Sequence, residues 1–196
     1  SYVRISPDGT KFTYSDSNYI WNEDQKINVV DIATGNTKSI YLDCGYIAEI
    51  SFIDNDHICI IGDTDVYTSS ASWGTGYSIL QPGTKQFYCY DTSFTNGWVA
   101  ELEYTDVSRG AHSFYISSRN AVMFYVGNTA AIYDMETGEP LNHYDVGSSI
   151  ISVDDWNENG HPEIMCQNGD YVFTISDTTD SMASFSFINT PIDEGL

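Results

Sequence analysis

Positive charge is scarce in this sequence. Seven Lys and Arg face 28 Asp and Glu, for a formal net charge of −21. So acidic a surface repels phosphate backbones and anionic lipid heads, which excludes nucleic acid as a partner and suits cations or basic protein patches. No apolar run approaches the ~18 residues of a membrane span, so no membrane insertion is expected. The chain opens directly in strand-like sequence, "SYVRISPDGT", as a mature or trimmed piece of a longer protein would. Cys44, Cys59, Cys89 and Cys166 form no CxxC, which argues against a zinc site or a redox motif. Cys59 in "HICIIG" and Cys89 in "FYCYD" read as small buried hydrophobes on neighbouring strands, where a disulfide stays open. Catalytic signatures are missing as well. There is no G-x-S-x-G elbow and no G-x-G-x-x-G after a strand, and His57, His112, His143 and His161 lack metal-ligand spacing.

Helical periodicity is also lacking; no segment places apolar residues at i, i+3, i+4 and i+7 between caps. Short alternating runs take its place: "KFTYS", "KINVVDI", "AEISFI", "HICIIG", "QFYCYD", "HSFYIS", "AVMFYVG", "AAIYDM", "EIMCQ" and "YVFTIS". Rich in Val, Ile, Tyr and Phe and bounded by Gly, Asn and Asp, they predict strands of an all-β domain. The strands recur as a unit. "INVVDIATGNTKSIYL", "FYCYDTSFTNGWVAELEY", "AAIYDMETGEPLNHYDV" and "YVFTISDTTDSMASFSFI" each carry an apolar strand, an Asp, a short turn and a more polar strand. The aligned aspartates are Asp31, Asp91, Asp134 and Asp177, about 43 residues apart after a longer first interval. An earlier hairpin precedes each, giving the period and strand count of a propeller blade.

"ISPDGTKFTYS" followed by "INVVDIATGN" resembles the bacterial WD-like β-propeller repeats, with SPDG at the first hairpin turn and D-x-x-T-G at the last. No Gly-His pair opens a blade and no Trp-Asp closes one; Val30-Asp31, Tyr90-Asp91 and Tyr133-Asp134 stand at that place, so the resemblance is to a divergent member. It implies a single β-propeller segment of four four-stranded antiparallel blades over residues 1–44, 45–104, 105–147 and 148–196. No blade is shared between the chain ends. The expected architecture is therefore half of a seven- or eight-bladed ring, completed by further blades or a second copy. A closed four-bladed ring is the alternative.

Two insertions fall between the second and third strands of blades one and two, and both would emerge on one rim. "DSNYIWNEDQ" carries Tyr19 and Trp21; "DTDVYTSSASWGTGYSILQPG" carries Tyr67, Trp73 and Tyr77. Aromatics among Ser, Thr and Gly offer flat, low-entropy contact area to a protein or glycan ligand. They could equally fold back over their own loops. In "VDDWNENGHPEI", Asp155, Asn157, Asn159, Gly160 and Glu163 fit D-x-[DN]-x-[DN]-G-x-x-[DE]. This resembles the calcium loop of the integrin-type FG-GAP propeller repeat. The resemblance implies a Ca²⁺ site on these oxygens, with the His161 carbonyl added and Glu163 closing it. A polar turn without metal accounts for the same residues.

These readings lead to a non-enzymatic binding or scaffold module that presents a propeller face to a protein or glycan. The alternative is part of a propeller enzyme of lyase, hydrolase or quinoprotein type, with its site in the central channel. A deep channel pocket with two carboxylates or a histidine at hydrogen-bond distance would favour it. A unit with no ligand is a third reading. Few Lys and Arg, many Ser, Thr, Tyr and Asn, and a weak calcium loop point to a bacterial cell-surface or secreted setting. The cysteines point to the cytoplasm as its alternative. For calcium, the expected outcome is a higher melting temperature in ~1 mM Ca²⁺ than in EDTA. Asp155→Ala should abolish the difference, and equal melting curves for the native chain would remove the metal.

Overall fold

The fold is described from a computed structural model covering residues 3–16, 25–64, 66–69, 77–81, 83–103, 111–126, 129–145, 149–154, 163–168, 172–177 and 185–188. Four consecutive antiparallel sheets of four strands make up an all-β partial propeller. Blade one contains β1 (Val3–Ile5), β2 (Lys11–Ser15), β3 (Gln25–Asp31) and β4 (Thr37–Leu42). Blade two contains β5 (Tyr46–Phe52), β6 (His57–Asp63), the inserted hairpin β7 (Val66–Ser69) and β8 (Tyr77–Gln81), then β9 (Thr84–Asp91) and β10 (Gly97–Glu103). Blade three runs β11 (Ala111–Ile116), β12 (Ala121–Val126), β13 (Thr129–Asp134) and β14 (Pro140–Asp145). Blade four runs β15 (Ser149–Asp154), β16 (Glu163–Asn168), β17 (Val172–Asp177) and β18 (Phe185–Ile188). One 3-10 turn, Ser117–Arg119, interrupts the β structure.

The first strand of each blade sits at its sheet edge and touches the first strand of the next, β1 to β5, β5 to β11 and β11 to β15. These four strands therefore form the inner edge of the ring. The blades stack face to face because strand alternation gives each two apolar faces. Ile27, Val29 and Leu42 of blade one pack on Ile47, Ile50, Ile58 and Ile60 of blade two. The opposite face of blade two, with Cys59, Ile61, Phe87 and Cys89, meets Val122, Phe124 and Tyr133 of blade three. Blade three then presents Met123 and Ile132 to Val153 and Ile164 of blade four.

The aspartates of the repeat are turn devices. Asp31 Oδ1 accepts from the Thr34 amide at 2.8 Å and its hydroxyl at 2.7 Å; Asp134 Oδ1 accepts from the Thr137 amide at 2.8 Å and its hydroxyl at 2.9 Å. The hydroxyl and amide of Thr34 hold Asp31 below the usual carboxylate range, and the amide and hydroxyl of Thr137 do the same for Asp134. In blade one Ser6 and Thr10 donate to Asp8 in the same manner, at 2.7 Å and 2.9 Å. The motif residues that mark the repeat thus shape its hairpins.

One face is left open. Register places Val3, Tyr14 and Asn28 in one row and Ile5, Phe12 and Val30 in the next. The corresponding rows of blade two, Ile50–Ile60–Tyr88 and Phe52–Ile58–Tyr90, face blade one. In blade one the β1 ends of these rows are open: Val3 is 57% and Ile5 63% exposed, while Phe12, Tyr14 and Val30 are half-buried and Asn28 is buried. Among the described residues blade one thus keeps an open apolar edge, as a partial propeller does.

Seam tightness can be measured at two glycines. Gly9 and Gly138 both have φ of +71°, but a Cβ on Gly9 meets nothing within 4 Å, whereas one on Gly138 lies 2.6 Å from Trp98 of blade two. Gly9→Ala should cost about 1–2 kcal/mol from the left-handed backbone alone. Gly138→Ala should cost ~1–3 kcal/mol more, because the Trp98 contact must give as well. Urea midpoints compare the two, and equal shifts would mean a loose seam between blades two and three.

Candidate functional site at the inner edge

Where blades two and three meet at the inner edge, β5 supplies Glu49 and Ser51, and β11 supplies His112 and Ser113. A register shift between Ile47 and Glu49 lets β5 change its facing along its length. Ile47 and Ile50 then point to blade one, while Glu49 and Ser51, opposite Ile61 and Cys59, share the face toward blade three. His112 Nδ1 donates to Glu49 Oε1 at 3.4 Å. The Ser51 and Ser113 hydroxyls bond each other across the same seam.

The two members of the contact live in different surroundings. The His112 side chain is 53% exposed, that of Glu49 only 14%. Glu49 Oε2 is buried and has no hydrogen-bond partner among the described residues. Burial pushes the Glu49 carboxyl up, against the opposing pull of His112 and Ser113. A carboxylate on Nδ1 orients the imidazole and leaves Nε2 as the ring's second hydrogen-bonding atom. Perturbed carboxyls next to an exposed histidine concentrate at functional sites.

A second histidine pair has a different role. Asp54 Oδ2 lies 2.9 Å from His57 Nδ1, beside a cleft of about 160 Å³ lined by His57, Tyr90, Asp91, Asn96 and Trp98. The carboxylates there serve their own turns: Asp54 Oδ1 accepts the amides of Asp56 and His57, and Asp91 accepts those of Ser93, Thr95 and Asn96. No trio of His, Cys, Asp or Glu that could hold a metal occurs among the described residues.

Of the residues expected to bind ligand, Tyr19, Trp21 and Trp73 lie outside the described residues. Tyr67 and Tyr77 belong to the β7–β8 hairpin, where Tyr67 opposes Ile79 and Ser69 opposes Tyr77, so both tyrosine positions share one hairpin face. Of the expected calcium ligands, Asp155, Asn157, Asn159 and His161 also lie outside the described residues. Glu163 opens β16, is buried, and stands opposite Asp154 and Asp177 in register. Glu49 and His112 were not singled out by sequence reasoning. The available signal was a Glu inside the strand run "AEISFI", at a position where the equally bulged β15 carries Ser152.

No protein-family model matches the chain, and no curated protein matches it in sequence. Solved structures do resemble it. Acylaminoacyl peptidase in complex with Z-Gly-Gly-Phe-chloromethyl ketone has a TM-score of 0.51 at 13% identity, covering 96% of this chain and 37% of that one. The β-propeller domain of the Trilobed protease from Pyrococcus furiosus has a TM-score of 0.46 at 14% identity, over 97% and 71% of the two chains. Kuenenia stuttgartiensis hydrazine synthase has a TM-score of 0.47 at 14% identity, over 96% and 58%. At these identities the likeness concerns the fold alone, and the chain spans little more than a third of the peptidase chain it matches. The expectation of a non-enzymatic module is corrected here. The solved structure that the fold resembles at a TM-score of 0.51 is a peptidase chain, so the fold is one that an enzyme carries.

The Glu49 carboxyl gives the site a pH signature. Its folded pKa lies above the ordinary glutamate value, so its contribution to stability is full below that value and is lost as pH rises through the folded pKa. Glu49→Gln cannot ionise. It should melt with the native chain at pH 4 and above it at pH 8, where each ~1 kcal/mol reads as about 2–4 °C. A pH-independent difference would show that Glu49 does not titrate abnormally.

Proposed function

We propose that this chain is the propeller segment of a larger hydrolytic enzyme of peptidase type, in which further blades continue the ring and Glu49 and His112 lie on the channel wall that substrate meets. The observation that carries the reading is the inner-edge pair itself: a buried carboxylate bound to the Nδ1 of a half-exposed imidazole. The resemblance in fold to a peptidase chain more than twice as long supports it, as does the open apolar face of blade one. His112 Nε2 contacts a polar group of the substrate, and Glu49 positions the ring. The carboxylate also adds negative potential where the chain is already anionic, which favours substrates with a cationic or neutral group at that point.

Two experiments test the reading. The complete product of the gene should hydrolyse chromogenic peptide substrates, acylated or free at the amino end. His112→Ala should lower kcat/KM at least tenfold, about 1.4 kcal/mol of transition-state stabilisation, assayed well below the variant's own melting temperature. An inert complete product, or unaltered kinetics in both His112→Ala and Glu49→Gln, would overturn it. The added blades are tested separately with Ile5→Asp. It should lower the melting temperature of the complete product by several degrees and leave the 196-residue chain within ~1 °C, as a surface substitution does. Equal shifts in the two would remove the further blades.

A further inference from the structure

Blade two holds a pair of thiols that the inner-edge site does not use. Cys59 on β6 and Cys89 on β9 are direct cross-strand partners, 0% and 1% exposed, on the face toward blade three. Both are free thiols in this structure.

Which kind of partners they are follows from the ladder. Opposed residues in an antiparallel pair alternate between hydrogen-bonded and non-hydrogen-bonded sites. At one end of the β6–β9 ladder Thr92 N donates to Asp56 O at 2.8 Å, and at the other Thr64 N donates to Thr84 O at 3.1 Å. Both are opposed pairs in the β6–β9 register, so both are hydrogen-bonded sites. Cys59 lies an odd number of steps from Asp56 and from Thr64, so Cys59–Cys89 is a non-hydrogen-bonded site by either count. There the Cα atoms approach to about 4.5 Å with the side chains closest, inside the ~4.4–6.8 Å that a disulfide takes. The other cysteines do not compete. Cys44 packs on the opposite side of the sheet against Gly62 and Tyr88, and Cys166 belongs to β16 of blade four.

We propose that Cys59 and Cys89 form a cross-strand disulfide when the chain folds in contact with a small-molecule disulfide of the glutathione kind. One cysteine gives its proton to water, and its thiolate attacks the small disulfide, releasing one small thiolate. The second protein thiolate then attacks the mixed disulfide and releases the other. Two protein thiols are oxidised to one S–S bond, and one small disulfide is reduced to two thiols. Both sulfurs are buried in the finished fold, out of reach of a small disulfide, so the exchange belongs to folding, before blade three covers the face. The bond closes a loop that contains the whole β7–β8 insertion and ties together the two strands from which that hairpin springs.

The test is refolding of the 196-residue chain in a mixture of oxidised and reduced glutathione, followed by alkylation under denaturing conditions, intact mass and peptide mapping. The expected result is the loss of two hydrogen atoms, alkylation at Cys44 and Cys166 only, and one cross-linked species joining the Cys59 and Cys89 peptides. In Cys59→Ala and in Cys89→Ala the three remaining cysteines should all alkylate. Four alkylated cysteines in the native chain, or a cross-link that includes Cys44 or Cys166, would overturn the assignment.

Discussion

Phe87 and Phe124 lie face to face across the seam between blades two and three, 4.6 Å between ring centroids and 5° between ring planes. Trp98 and Tyr133 meet the same rings edge-on or tilted, and Trp98 Nε1 donates to the Met135 carbonyl at 2.8 Å across the seam. This contact shows the constraint under which the whole chain folds. A blade is only one sheet thick, so both of its faces must find a neighbour. Each seam buries aliphatic or aromatic rows from two blades, and offset or edge-on ring pairs add stabilisation beyond the buried area. Position along the inner edge is set by those seams. Glu49 reaches His112 because the rows behind them, Ile61 with Phe87 and Val122 with Phe124, hold β5 and β11 side by side.

The same constraint explains the open side of blade one. Its partly open rows repeat, position for position, rows of blade two that pack against blade one. Val3 and Ile5 are not scattered surface hydrophobes; Phe12 and Tyr14 lie beside them with their rings stacked at 6.0 Å. A contiguous apolar patch of this shape marks a surface made to be covered. The turn aspartates act at a different level, fixing each hairpin locally. Their lowered pKa values mean that this local support is present above the ordinary carboxylate range and is lost as pH falls through the folded values.

Much of this was legible in the sequence because it is local. Alternation in "HICIIG" and "QFYCYD" predicts strands, and the period of Asp31, Asp91 and Asp134 predicts blades whose hairpins those aspartates shape. The insertion between the second and third strands of blade two appears as β7 and β8, and the lack of shared closure appears as an exposed first blade. The inner-edge site was not legible, for a physical reason. Glu49 and His112 are far apart in sequence and belong to different blades. Their meeting depends on a register shift at Ala48 that no alternation pattern reveals, since "YIAEISF" reads as an ordinary strand. The scaffold expectation rested on missing local motifs, and a pair assembled across a seam leaves no such motif.

The position of Glu49 can be weighed against its counterpart. β5 and β15 carry the same register shift at the same place, and Ser152 stands in β15 where Glu49 stands in β5. The same bulge therefore forms with serine at this position, and the bulge itself has no need of a carboxylate. Glu49 is nevertheless mostly buried, with one oxygen unsatisfied, in a chain that already carries a large excess of negative charge. Both conditions oppose folding: desolvation penalises the charged form, and the surrounding field penalises another anion. His112 and Ser113 recover part of that cost without cancelling it, because burial still outweighs them and the carboxyl stays raised. A residue that the fold does not require and that weakens it persists at sites where activity and stability are traded against each other. That balance, more than the hydrogen bond alone, separates Glu49 and His112 from the Asp54–His57 pair, whose carboxylate shapes its own turn.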